Sequence, residues 1–302
     1  MSFLFLSFGL MSLRLISLCF VALLGFSASL VAEETSFIIQ AHRGAGIAQP
    51  ENTLEAFQYS WSIGVTPEAD LRTTKDGVIV CFHDANLKRV VGNVADSQKD
   101  QAIEKMPADE VAQLEVGSFR GDQFAGQKVP TLEAIFAEMK GKPKRMVYLD
   151  IKTADQDDLI KLIRQYDVAS QVIYTTKHHH LIQSWKKLVP ESQTLCWNGG
   201  SEEDLTKKLA AMRKDGFEGI TQLQIHVRPE KAKEGESFMP SPKFLAKVGR
   251  ELKEHGILFQ TLPWESDDPA IYKQLLELGV ESFATDYPEV TVAAVKAFQK
   301  QQ

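Results

Sequence analysis

Between residues 37 and 285 the chain alternates short apolar runs with longer stretches whose apolar residues recur every three or four positions. A short apolar run is the mark of a buried strand and the longer period that of an amphipathic helix. Strands are predicted over 37–41, 66–71, 78–82, 146–151, 171–175, 193–197, 257–262 and 282–284, with an extended region around 219–225. Helices are predicted over 53–63, with Asn52 or Thr53 as cap, and over 132–139, 156–166, 180–188, 202–214, 241–255 and 269–278. Residues 92–130 are polar and aperiodic apart from a short helix near 109–115. Strands alternating with helices call for a parallel α/β architecture, and the number of units fits a closed (β/α)8 TIM barrel. The step from Asp70 to Val78, through the turn Lys75-Asp76-Gly77, is too short for a helical crossover. The barrel is therefore expected to be distorted near its second and third strands. No low-complexity linker interrupts 33–302, which reads as one domain.

Ahead of that domain, residues 15–32 are apolar or small, Arg14 precedes them and no acidic residue occurs before Glu33. Residues 1–32 read as a secretory signal, which implies export to a periplasm or the medium; an uncleaved membrane anchor is the rival reading. Of the three cysteines only Cys81 and Cys196 lie beyond the leader, each in a strand-like run, and two buried free thiols are expected. The net charge of −6 argues against nucleic acid as a partner, and no obligate protein partner is indicated. An anionic substrate must then be held by local cations or a metal.

The candidate chemistry collects at predicted strand ends. Glu68 and Asp70 are two apart, so on a strand both point the same way. Facing water they would be an ordinary acidic face; facing a barrel interior they would repel unless a hard cation bridged them. Asp150 and Lys152 repeat the spacing where an apolar strand turns charged, and active sites of barrels sit at such C-terminal ends. His42 and His83 each follow an apolar strand, and each has a charged neighbour, Arg43 or Asp84. Imidazoles titrate near working pH and suit acid and base roles on either side of a phosphorus. Arg43 offers a planar fork to phosphate oxygens. Glu51 either orients Arg43 or caps the following helix. Trp197 and Trp264 lie at strand ends, where they line a pocket or pack the rim, and His178-His179-His180 reads as a solvated face.

His42-Arg43-Gly44, Pro50-Glu51-Asn52-Thr53, Glu68-Ala69-Asp70, Thr74 to Val78 and His83-Asp84 together resemble the signature of the glycerophosphodiester phosphodiesterase family. Pro130-Thr131-Leu132, Trp264-Glu265-Ser266-Asp267 and Gly279-Val280 followed by Thr285-Asp286-Tyr287-Pro288 extend the likeness over 38–290. The resemblance implies a distorted TIM barrel and one divalent cation, Ca2+ or Mg2+, held by Glu68, Asp70 and Asp150. It implies His42 and His83 as the acid/base pair, Arg43 and Lys152 as phosphate contacts, and Glu51, Trp264 and Asp267 as pocket residues. The expected reaction cleaves a small glycerophosphodiester to glycerol 3-phosphate and an alcohol. The alternatives are a related barrel phosphodiesterase acting on lysophospholipid or phosphoinositide headgroups, or an exported phosphate-ligand binder without catalysis. The chain departs from the family pattern at Asp150 (usually Glu), at Asp267 (usually Asn) and in 86–92, which lacks the common Arg-Thr-Thr.

Overall fold

The computed structural model, which describes residues 37–232 and 235–301, arranges eight strands in a closed parallel ring. In chain order the strands are β1 Ile38–Ala41, β2 Thr66–Thr73, β3 Ile79–Cys81, β4 Val147–Ile151, β5 Val172–Thr176, β6 Gln193–Asn198, β7 Gln222–Val227, β8 Leu258–Pro263 and β9 Ser282–Thr285. All but β3 belong to the ring, which is sealed by β1 pairing with both β2 and β9. The predicted leader and Cys19 lie outside the described residues.

The distortion expected after the second strand is a hairpin. β3 returns antiparallel along β2, with Leu71 opposite Cys81, and stays outside the ring. The crossover to β4 is completed by a long insertion and a helix at Leu132–Met139. That insertion, predicted to be polar and irregular, is built of short turns and a one-turn helix, Ala108–Val111. It nevertheless encloses an apolar cluster of its own, with Phe82, Leu87, Val90, Ile103, Met106 and Leu114 buried. Phe82 ends a predicted strand and Leu114 lies in the predicted short helix, but Leu87, Val90, Ile103 and Met106 follow neither period, so pattern reading could not find them.

In chain order the helices are α1 Leu54–Ser62, α2 Ala108–Val111, α3 Leu132–Met139, α4 Gln156–Tyr166, α5 His179–Leu188, α6 Glu202–Lys214, α7 Pro242–Glu254, α8 Pro269–Glu277 and α9 Pro288–Gln299. Helix starts are chemically marked: Thr53, Thr131, Asp155, Ser201, Ser241 and Asp268 each accept a backbone N–H of the first turn. A cap of this kind is worth about 1 kcal/mol, since it satisfies an otherwise orphaned donor. α7 buries Leu245, Val248, Gly249 and Leu252, one stripe facing the sheet. α9 was not anticipated; its buried Thr291, Ala294 and Val295 form the same kind of stripe.

The main apolar layer lies between strands and helices and includes Phe57, Phe136, Trp185, Phe259 and Tyr272. Inside the ring, Tyr148, Ile173 and Leu195 form a smaller cluster. Around it runs a buried polar chain: Tyr148 Oη donates to Gln222, Gln260 donates to Tyr148 and Ser282, and Gln224 donates to Gln260. Strands buried on both faces are the rule for parallel sheets. Cys81 and Cys196 are buried free thiols, as expected.

Candidate active site

Register builds the acidic cluster. β2 and β4 are neighbours, and Asp70 lies opposite Asp150. Glu68 shares the inward face of β2 with Asp70, two residues back. The three carboxylates offer oxygens within 4.8 Å of one another, at 5%, 1% and 7% exposure. Burial among like charges raises Glu68 to about 7, despite His42 and Lys152. Burial likewise raises Asp150. Asp70 is also pushed up by burial, but Lys152, His83 and a hydrogen bond from Asn52 outweigh that and hold it low. Asn52, in a left-handed conformation (φ 55), donates Nδ2 to Asp70 Oδ2 at 2.7 Å and accepts the Asp70 N–H at 3.0 Å. Thr53, the other candidate, is the helix cap.

Lys152 Nζ donates to Asp150 Oδ2 at 2.6 Å and lies 3.1 Å from Asp70 Oδ1, an ion pair without hydrogen-bond alignment. One ammonium cannot neutralise three buried carboxylates. Hard, closely spaced oxygens, one of them buried without a hydrogen bond, are the donor set of a Ca2+- or Mg2+-type ion. The residues therefore fit a divalent cation, even with Asp150 in place of the longer side chain.

His42 and His83 stand over this cluster, each fixed by a carboxylate. His42 Nδ1 donates to Asp286 Oδ1 at 2.7 Å, and His83 Nδ1 to Asp84 Oδ1 at 2.8 Å. His42 Nε2 faces the cavity, whereas His83 Nε2 accepts from the Arg43 guanidinium at 3.2 Å. The shifts run in opposite directions. Burial depresses His42, but the Asp286 hydrogen bond with the charges of Glu68 and Asp286 prevails, and its pKa is raised. Burial also depresses His83, and with Arg43 beside it the net shift stays downward. Gly46 makes the His42–Asp286 contact possible: its φ is +56°, and a Cβ there would lie 2.2 Å from the Asp286 carbonyl oxygen.

Arg43, itself at φ 53, donates to Glu51 Oε2 at 3.3 Å and to His83 Nε2 at 3.2 Å. Glu51 thus orients Arg43. Arg89 completes the assembly, donating to both Glu51 oxygens at 2.6 and 2.7 Å and to both Asp84 oxygens at 2.8 and 2.7 Å. Glu51, His83 and Asp84 also lie within ligating distance of one another, but this guanidinium supplies the positive charge between them. Segment 86–92, expected to depart from the family pattern, still delivers the arginine.

The cavity over the cluster, about 140 Å³, is lined by His42, Arg43, Glu68, His83, Asp150 and Lys152, with Trp197, His226 and Trp264 as an aromatic wall. His226 stacks on Trp197 (5.4 Å, 9°) and meets Trp264 edge-on. Burial lowers its pKa to about 4, so it is neutral. Two buried donors of this cavity, Arg43 Nε and Trp264 Nε1, have no protein partner. Asp267 lies elsewhere: after β8 the chain turns at Glu265 (φ 51), which lines a neighbouring groove, and Asp267 is exposed. Sequence reading brought the seven core residues together. It gave no site role to Asn52, Asp84, Asp286, Arg89 or His226, although Asn52, Asp84 and Asp286 stand inside the family-like motifs and Asn52 was a candidate helix cap.

Three comparisons bear on this geometry. The profile of the Glycerophosphoryl diester phosphodiesterase family matches residues 42–290. A glycerophosphodiester phosphodiesterase of Caldanaerobacter subterraneus is 27% identical over 267 residues, 86% of this chain and 98% of the relative. Among solved structures, a glycerophosphodiester phosphodiesterase from Agrobacterium tumefaciens superposes with a TM-score of 0.65 at 21% identity, covering 85% of this chain and 99% of the other. A phosphodiesterase from Oleispira antarctica, in complex with the product sn-glycerol-3-phosphate, superposes with a TM-score of 0.63 at 21% identity over 86% and 96%.

Proposed function

The chain belongs to the glycerophosphoryl diester phosphodiesterase family, phosphoric diester hydrolases, and on that premise we propose that it hydrolyses small glycerophosphodiesters to glycerol 3-phosphate and an alcohol. The observation that carries this reading is the pairing of oppositely shifted histidines across a cavity floored by three buried carboxylates.

In this reading the phosphate enters above the carboxylates, where Lys152 and Arg43 face its oxygens. The unpartnered donors Arg43 Nε and Trp264 Nε1 suit the same oxygens, because a buried donor without a partner costs about 1–3 kcal/mol until one arrives. Once the Arg43 guanidinium turns from His83 Nε2 to the phosphate, His83, kept neutral, takes the proton from the attacking oxygen through Nε2, with Asp84 stabilising the imidazolium that forms. His42, kept protonated by Asp286, gives its Nε2 proton to the departing alkoxide. Environments that push two titratable groups apart divide the acid and base roles in this way. A divalent cation, Ca2+ or Mg2+, held by Glu68, Asp70 and Asp150 would polarise a phosphoryl oxygen. The small-molecule product in the Oleispira relative's complex supports the substrate class.

The test is release of glycerol 3-phosphate by the purified protein, with and without a chelator and with each ion restored in turn. His42→Ala and His83→Ala should each lower turnover about 10²-fold or more, the usual contribution of acid/base catalysis. Full activity in chelator, or in either variant, would overturn the mechanism. The leader at residues 15–32 supports export, which N-terminal sequencing of the recovered protein would check.

A further inference from the structure

Two grooves leave the central cavity, and a diester has two ends to place. One groove passes Ile47, Phe119, Glu265 and Tyr287. The other runs from Asp150 and Lys152 past Thr176, Lys177, His178 and Trp197. Lys177 and His178 continue from it into a wider cavity of about 570 Å³ that also holds Lys208.

This second groove is cationic in a chain whose net charge is −6. Among the described residues Lys177 pairs with no carboxylate; its ammonium lies 5.6 Å from the Trp197 ring centroid. Lys208 Nζ donates to the Gly199 carbonyl, and its charge also acts on Asp204, one turn earlier on α6. The acidic residue of the wider cavity is Asp215. Glycerol carries no charge, so the ammonium of Lys177 has nothing to offer that end of the substrate.

The aromatic wall points the same way. A quaternary ammonium such as choline is bound by an open aromatic face. Here Trp197 already carries His226 and Lys177, and the Arg228 guanidinium sits 4.5 Å from the Trp264 ring centroid. A cationic headgroup would meet like charge on both rings.

We propose that the groove past Lys177 and His178 seats the leaving alcohol and selects diesters whose alcohol bears a further anionic group, such as a phosphate monoester, against choline-bearing ones. The proposal rests on the hydrolase reading above. Its test is a charge ladder of three substrates: glycerophosphocholine, glycerophosphoglycerol and a glycerophosphoinositol phosphate, assayed with the ion-loaded full chain by glycerol 3-phosphate release.

In low salt kcat/KM should rise along that ladder, with the anionic diester at least about 10-fold above the choline diester, and the gap should narrow near 0.5 M salt. Lys177→Glu should collapse the anionic-to-choline ratio about 10-fold, while Lys177→Arg preserves it. Lys177 is exposed, so neither variant threatens folding, and Lys177→Ala should fall between them. A choline diester cleaved as well as the anionic one, or a ratio unmoved by Lys177→Glu, would overturn the proposal alone. No glycerol 3-phosphate from any of the three would overturn the hydrolase reading with it.

Discussion

His42 and His83 share a side chain but not an environment, and the difference lies in their carboxylate partners. Asp286 supports a protonated His42, so activity should fall as pH rises through that raised pKa. His83 must be neutral to act as base, so activity should fall as pH drops through its lowered pKa. Asp286→Asn removes the charge and leaves a similar shape; the alkaline limb of kcat/KM should then move to lower pH while the acidic limb stays, as a pH–rate profile would show. Arg89 is a positioning residue for both sides of the site, since it holds Glu51, and through it Arg43, as well as Asp84, and through it His83. Arg89→Ala should cost about 10- to 100-fold in kcat, the scale of an ångström-sized misplacement. It should also raise the acidic limb, because Asp84 freed of a guanidinium stabilises His83 imidazolium more; Arg89→Lys should restore part of both. At this scale the side chains of the candidate site were legible in the sequence, because a two-residue spacing or a strand-end histidine is a local signal. Their partners were not: Asp286 stands 244 positions from His42 and Arg89 stands 38 from Glu51.

The insertion between β3 and α3 is the element that distinguishes this barrel from a plain eightfold repeat, because it carries His83, Asp84 and Arg89 on a core of its own. Leu87 is fully buried in that core. Leu87→Ala should cost about 2–5 kcal/mol. The loss should loosen the insertion before it unfolds the barrel, so kcat should fall while far-ultraviolet circular dichroism stays near wild type. Regular strands, and the helices other than α9, lie within a few residues of the expected bounds, since their caps and apolar periods are written locally. β3 read as a strand and is one, yet only pairing shows it outside the ring. The insertion's apolar residues, scattered through polar neighbours, become a cluster only when the chain folds back on itself.

Closing the ring sets the electrostatics of the barrel, because it gathers three buried carboxylates above a middle filled by packed side chains. Glu68 sits at about 7 against an ordinary 4.5, so without an ion its ionisation opposes folding. The ion-free protein should therefore lose stability as pH rises from about 4.5 through about 7. In chelator at neutral pH, Glu68→Gln should melt several degrees above wild type by calorimetry. Added Ca2+ or Mg2+ should raise wild type and reverse the order, since ligand binding to the folded state stabilises it by mass action. Sequence alone determined which segments become strands and, α9 apart, helices, and which strand ends carry carboxylates and imidazoles, because period and capping act over a few residues. Tertiary structure alone decided that Asp70 stands opposite Asp150 and that Asp286 reaches His42. Inter-strand register and closure of the ring are hydrogen-bonding choices between distant segments, and their free energy exists only once those segments have met.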